Sequence, residues 1–306
     1  MSRIHEALKK AEQERATAQG GVASSFPASE ASEMAQEAQD PAVPATLGPQ
    51  PLSPALASPF NSDTLLSRCP QVAWRADTTT MLFLNGNDNA PGTEEFRTLR
   101  SRLYHLREKN PLKKLLITSA LPKDGKSFTA ANLAQVMVRQ HGRRALLIDA
   151  DLRGPRLHQM LGTTSSPGLS DYLQGQNDEF SIMQRGPLEN LFFIPSGSAI
   201  KDPSELVGNG RLQSLLQRLE PLFDWIILDS PPAVTVSDAS VLSKACDGVL
   251  MVVRSNVTPS DAARKALQEF PEESLVGVVL NGTSGNQSGY ARYYATDETG
   301  KKAAKA

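Results

Sequence analysis

Cysteine is almost absent from this sequence: Cys69 and Cys246 are the only two in 306 residues. Two such thiols build no disulfide framework and lack metal-ligand spacing, so reduced thiols in a cytoplasmic protein are expected. No apolar run approaches the ~20 residues of a membrane-spanning helix. The opening MSRIHEALKKAEQERA has no apolar core of a secretory signal. Neither sign of charge dominates, since 32 Lys and Arg against 33 Asp and Glu leave a net charge of −1. That balance gives no electrostatic reason to expect a nucleic-acid partner. Hydrophobic residues make up 40% and aromatics 6%, low enough that part of the chain is expected to remain unpacked. Any membrane role would have to come through a partner.

What is present is unevenly distributed. Residues 1–18 read as a short amphipathic helix, with Ile4, Ala7, Leu8 and Ala11 on one side and charges of both signs on the other. From Gln19 the composition turns to Ala, Ser, Pro, Glu and Gln, with seven prolines between Pro27 and Pro59. Such a segment buries too little to offset its ordering entropy, and 19–76 is assigned as a disordered linker. A short strand is expected at Met81–Leu84. From Thr93, which caps a helix running to about Lys109, the pattern becomes regular. Short runs rich in Leu, Ile and Val (Leu115–Thr118, Ala145–Ile148, Leu191–Ile194, Trp225–Leu228, Val249–Val253, Val276–Leu280) alternate with helical periods. That alternation predicts an α/β domain over 77–284, with a mostly parallel central sheet flanked by helices. A polar tail, 285–306, follows.

The chemistry concentrates in LLITSALPKDGKSFTAANLA. An apolar strand leads into Ala120, Leu121, Pro122, Lys123, Asp124, Gly125, Lys126 and Ser127, and a helix follows through Phe128. This is a P-loop with Ala120 in place of the usual first glycine. Backbone N–H groups of such a loop wrap the β-phosphate of ATP, helped by the positive helix N-terminus. Lys126 reaches the β- and γ-phosphates, and the Ser127 hydroxyl joins the Mg²⁺ shell. Two further apolar strands end in acids: Asp149-Ala150-Asp151-Leu152-Arg153, and Asp229-Ser230-Pro231-Pro232. Ligands of open α/β sheets bind at the carboxyl edge of the strands. Asp149, Asp151 and Asp229 are therefore candidates to hold Mg²⁺, and any one of them alone would be read as a turn or cap residue.

In combination and order, the P-loop, DADLRGPRLH, DSPP and VVLNG resemble the bacterial tyrosine kinases of capsule and exopolysaccharide systems. The resemblance covers about two thirds of the chain, from Thr93 to Tyr294. It implies a fold shared with the plasmid-partition and division-site ATPases. It identifies Ala145–Arg153 with the family's modified Walker motif, Glu94-x-x-Arg97-x-x-Arg100 with its oligomerisation motif, and Asn281 with a residue placed near the adenine. It also makes Tyr290, Tyr293 and Tyr294, three of the five tyrosines in the chain, the autophosphorylation substrate.

The implied activity is an ATP-dependent protein-tyrosine autokinase regulating exopolysaccharide biosynthesis and export, working in trans. The implied catalytic set is Lys126, Asp149, Asp151, Arg153 and Asp229. A phenol of pKa ≈ 10 benefits from a carboxylate that takes its proton, and Asp149 and Asp151 are both candidates. Arg153 would neutralise charge on the transferring group or contact a neighbouring subunit. The implied partners are an inner-membrane polysaccharide co-polymerase (chain-length determinant) as activator, a low-molecular-weight tyrosine phosphatase, and further copies in a ring. The implied place is the cytoplasm, peripheral to the inner membrane through that activator. The competing reading is an ATP-driven dimerising switch of the partition type. Its signature lysine would fall at Leu121, and Lys123 is out of register.

Overall fold

The computed structural model describes residues 62–84 and 90–283. The expected N-terminal helix, most of the Pro-rich segment and Tyr290, Tyr293 and Tyr294 lie outside these residues.

Seven strands form one sheet: β1 (Lys114–Ser119), β2 (Ala145–Asp149), β3 (Gln184–Arg185), β4 (Leu191–Ile194), β5 (Trp225–Asp229), β6 (Gly248–Arg254) and β7 (Leu275–Asn281). Their spatial order is β3-β4-β2-β5-β1-β6-β7. Every pairing is parallel except β3 with β4. β1, β2, β4 and β5 are short and buried along nearly their whole length, as strands covered on both faces must be. Successive side chains of a strand point to opposite faces, and the core divides accordingly. Leu116, Leu146, Ile148, Ile226 and Leu228 enter one hydrophobic layer; Leu115, Ile117, Leu147, Trp225 and Ile227 enter the other.

Helix α2 (Thr93–Lys109) and helix α3 (Lys126–Val138) cover the second layer. α3 is buried around almost its whole circumference, lying between the sheet and α2. Its small residues Ala130, Ala131 and Ala134 suit that position because they permit close approach from several sides. Thr93 is the first helical residue of α2, and Gly92, with φ +96°, occupies the capping position. Later in the chain come the helices α4 (Leu157–Leu161), α5 (Leu169–Leu173), α6 (Pro203–Val207), α7 (Arg211–Leu219), α8 (Asp238–Ser243) and α9 (Ser260–Gln268).

Two expectations need correction. Residues 62–76, assigned to the linker, pack onto the domain. Helix α1 (Ser62–Arg68) buries Leu65, and Cys69 follows it into the first layer. Gln71 bridges to Arg185 at the sheet edge, and Trp74 lies against Gly186, where a Cβ would come within 2.3 Å of the indole. Composition hid this because only a few large side chains, spaced well apart, do the packing. Residues 81–84 form a turn rather than a strand. Their alternating burial is real, with Met81 and Phe83 inside, but the backbone bonds to side chains of α3 instead of a neighbouring strand. Asn132 Oδ1 accepts the Leu82 N–H at 2.8 Å, and Gln135 Oε1 accepts that of Phe83 at 3.3 Å.

Candidate nucleotide site

The loop between β1 and α3 carries two residues in left-handed conformation, Lys123 (φ 70°) and Gly125 (φ 102°). Backbone turned this way directs successive N–H groups toward a common concavity suited to an anion. At Gly125 a side chain is excluded on two counts: the positive φ, and a Cβ that would lie 1.9 Å from Asn281 Nδ2. The loop is braced from outside. Asp124 Oδ2 accepts the Leu121 N–H at 2.9 Å, and Asp124 Oδ1 accepts the Thr258 hydroxyl at 2.7 Å. Arg254 donates to the Lys123 carbonyl at 3.1 Å, and Asn281 Nδ2 donates to that of Asp124 at 2.9 Å. Asn281, expected near an adenine, is thus placed against the phosphate loop itself. Thr258 and Arg254 were not legible as site residues, since a Thr and an Arg at a strand end read as ordinary surface.

The acids arrive by strand register. β2 and β5 are neighbours, and Asp149 pairs directly with Asp229; Asp229 also lies opposite Ile117 of β1. One parallel spacing of about 4.8 Å therefore separates the two carboxylate-bearing backbones at the sheet's carboxyl edge. Lys126 Nζ donates to Asp151 Oδ2 at 2.7 Å, with Asp229 Oδ2 at 3.7 Å and the Ser127 hydroxyl at 3.3 Å. Burial works against the lysine's charge, but Asp229 and Asp151 outweigh it and hold its pKa above the usual value.

The three acids are not equivalent. Asp149 is fully buried, and its Oδ2 accepts the Leu157 N–H at 3.1 Å where α4 begins. Burial first, then the charge of Asp229, pushes its carboxyl well above the usual range. Asp229 is equally buried and raised to about 6 by desolvation, with Lys126 pulling it back down. Asp151 stands beside the lysine, its Oδ1 accepting the Gly154 N–H at 3.0 Å. Asp149 Oδ1 and both Asp229 oxygens are buried without hydrogen-bond partners. Such atoms are costly unless a cation or its bound water satisfies them. Among the described residues no group of three or more His, Cys, Asp or Glu forms a cation cage by itself. The unpartnered oxygens of Asp149 and Asp229, with the Ser127 hydroxyl nearby, are hard oxygen donors of the kind Mg²⁺ takes, one or two carboxylates alongside waters and phosphate oxygens.

Arg153 does not stand free. Its Nε donates to Asp238 Oδ2 at 2.8 Å and its Nη2 to the Ser204 hydroxyl at 2.7 Å, while that hydroxyl donates to Asp238 Oδ1 at 2.7 Å. Burial raises the Asp238 pKa, but the bonds from Arg153 and Ser204 hold it below the usual carboxylate value. Asp238 belongs to no motif in the sequence, and nothing there ties it to Arg153.

On α2, Arg97 pairs with Glu94 one turn earlier. Arg100 donates to the Val136 carbonyl of α3 at 2.9 Å. Phe96 packs against Phe128, immediately after Ser127, with ring centroids 5.9 Å apart and the rings tilted by 59°. The expected oligomerisation motif is therefore also packed onto the helix that follows the phosphate loop.

A strained loop braced by β6 and β7, opening onto paired strand-end acids, defines a P-loop nucleotide-binding protein. Residues 123–269 match a family model described as an AAA domain. The tyrosine-protein kinase YwqD of Bacillus subtilis is 32% identical over 208 residues, covering 67% of this chain and 87% of that one. The tyrosine-protein kinase wzc of Salmonella typhimurium is also 32% identical over 216 residues, 70% of this chain but 30% of the relative's length. Among solved structures, the kinase domain of the Escherichia coli tyrosine kinase ETK superposes with a TM-score of 0.63 at 29% identity, over 69% of this chain and 85% of that one. The chain belongs to the bacterial tyrosine-protein kinase family. Among the described residues no helix is long and apolar enough to cross a membrane.

Proposed function

We propose that this chain transfers the γ-phosphoryl group of ATP to tyrosine, with Tyr290, Tyr293 and Tyr294 as its own acceptors, in control of exopolysaccharide export. The observation that carries this reading is the position of Asp151: a carboxylate 2.7 Å from Lys126 that keeps a small exposed area, 5%, where Asp149 and Asp229 keep none. When bound, Mg·ATP supplies the phosphoryl group and offsets the charge of the acids. The loop amides and Lys126 hold the phosphates, with Lys126 leaving Asp151 to do so. Ser127 and Asp229 would hold the Mg²⁺. Asp151, released from the lysine, takes the phenol proton as the phenolic oxygen bonds to phosphorus and ADP departs with the electrons of the broken P–O bond. Asp149 anchors α4 and keeps Asp151 in place. Arg153, held by Asp238 and Ser204, lies at the acceptor side.

The reading extends to an activating inner-membrane co-polymerase, a low-molecular-weight phosphatase that resets the tail, and a ring of copies at the cytoplasmic face of the membrane. Purified chain incubated with Mg·ATP and the activator's cytoplasmic segment should gain phosphate on the three tyrosines by mass spectrometry. Changing all three to Phe should remove most phosphotyrosine. Asp151→Asn should slow transfer by roughly 10²-fold or more while nucleotide still binds. ATP turnover with no phosphotyrosine would instead favour the dimerising switch.

A further inference from the structure

Lys123 is the residue of the phosphate loop whose own side chain resists the conformation it holds. Its φ of 70° lies in the left-handed region, where a Cβ crowds the following carbonyl oxygen. Among the described residues, Asn256 (φ 58°) is the only other non-glycine with positive φ, and asparagine accepts that region readily. Lysine does not.

The backbone shape is imposed from outside. Arg254 donates to the Lys123 carbonyl at 3.1 Å, and Asn281 Nδ2 donates to that of Asp124 at 2.9 Å. Glycine would take the same shape without strain, so the lysine contributes nothing to the form of the loop. Strain retained at a ligand-binding loop points to work done by the side chain.

The charge of that side chain is uncommitted. Lys123 is exposed, and among the described residues its ammonium makes no hydrogen bond or ion pair. The neighbouring Asp124 is 2% exposed, and its two oxygens already accept the Leu121 N–H and the Thr258 hydroxyl. Asp151 and Asp229 face Lys126, at 2.7 and 3.7 Å. The outer rim of the loop therefore presents two exposed cations, Lys123 and Arg254, beside a concavity suited to an anion, while these acids are engaged elsewhere.

We propose that Lys123 is a second phosphate-binding lysine. Its ammonium, on a flexible four-carbon stem, closes over the polyphosphate of a bound nucleotide from the solvent side, and Lys126 holds it from the buried side. This rests on the P-loop assignment and not on tyrosine as the acceptor. An exposed charge attracts its ligand through water, so its effect falls on association and is screened by salt.

The test uses the full-length chain and a fluorescent ADP with Mg²⁺, followed by stopped flow and by equilibrium titration. Lys123→Gly removes charge and strain together; Lys123→Asn removes the charge with a residue that accepts positive φ; Lys123→Arg keeps the charge. The Gly and Asn variants should associate more slowly and bind roughly threefold to tenfold more weakly at about 50 mM salt. That difference should shrink to less than about twofold near 500 mM, and the Arg variant should stay close to wild type. Without nucleotide, Lys123→Gly should melt no lower than wild type, because strain is relieved. Unchanged ADP binding by the Gly and Asn variants at low salt overturns the proposal and leaves the P-loop assignment intact. A loss equal at both salt concentrations, a loss shared by the Arg variant, or a lowered melting temperature in the Gly variant also overturns it, since the lysine would then shape the loop. Failure of the unaltered chain to bind ADP overturns the nucleotide site itself.

Discussion

Asp229 pays in stability for its place in the site. It is sealed from solvent, neither oxygen is hydrogen-bonded, and desolvation lifts its pKa from 3.8 to about 6. A carboxyl raised in this way supports folding fully only below its unfolded pKa and loses that support as pH rises through about 6. Asp229→Asn should therefore stabilise the nucleotide-free protein at pH 7.5 by about 1–3 kcal/mol, a gain that fades as pH falls toward 4. The same change should weaken the Mg²⁺ dependence of ATP binding. Urea unfolding at pH 7.5 and pH 5, with calorimetric titration of ATP at two Mg²⁺ concentrations, checks both. A variant no more stable than wild type at pH 7.5 would mean that Lys126 fully compensates the buried charge. The conflict is a common one, in which function retains a group that folding alone would discard.

At the scale of elements, α2 and α3 act as one unit behind the phosphate loop. Phe96 on Phe128 joins their starts, and Arg100 on the Val136 carbonyl joins α2 to the end of α3. The three residues of the Glu-Arg-Arg motif therefore divide by role. Arg100 satisfies a carbonyl in the last turn of α3, where helical carbonyls lack intrahelical donors. Arg100→Ala should cost about 1 kcal/mol of stability, seen as a lowered urea midpoint. Glu94→Ala with Arg97→Ala removes an exposed pair worth little to the monomer, and should instead shift the sedimentation profile toward smaller species. If the double change left assembly intact and destabilised the fold, α2 would serve only as a packing helix. The pairing also suggests how assembly would bear on the site, since a partner held at Glu94 and Arg97 touches the helix that orients Phe128.

For the whole molecule, the segment 62–84 behaves as a strap. It starts in one hydrophobic layer with Leu65 and Cys69, passes the sheet edge at Gln71, and ends in the other with Met81 and Phe83. Full burial of each such side chain contributes about 1.5–3 kcal/mol, and Asn132 loses its partners Thr80 and Leu82 if the strap is removed. Deleting residues 1–61 should leave the calorimetric transition and ATP affinity close to those of the full chain. Deleting residues 1–84 should abolish a cooperative transition or lower its midpoint sharply. Equal behaviour of the two truncations would make the strap dispensable.

Local pattern alone was enough for the six parallel strands, the phosphate loop and the strand-end acids, though it offered a strand at 81–84 that is a turn and missed the two-residue β3. A run such as Leu-Leu-Ile-Asp or Ile-Ile-Leu-Asp states its burial and its terminus within five residues, and Gly125-Lys126-Ser127 needs only the strand before and the helix after. The order of the strands was not written in any of those runs. Register across β2 and β5 sets Asp149 against Asp229 and leaves Asp151 to the lysine, which is why the two acids of one motif could not be ranked beforehand. Long-range partners were equally silent: Asp238 and Ser204 holding Arg153, Thr258 and Arg254 bracing the loop, Trp74 resting on Gly186. Each pairs residues tens of positions apart, brought together by crossover connections whose arrangement follows from burying both faces of one sheet at once.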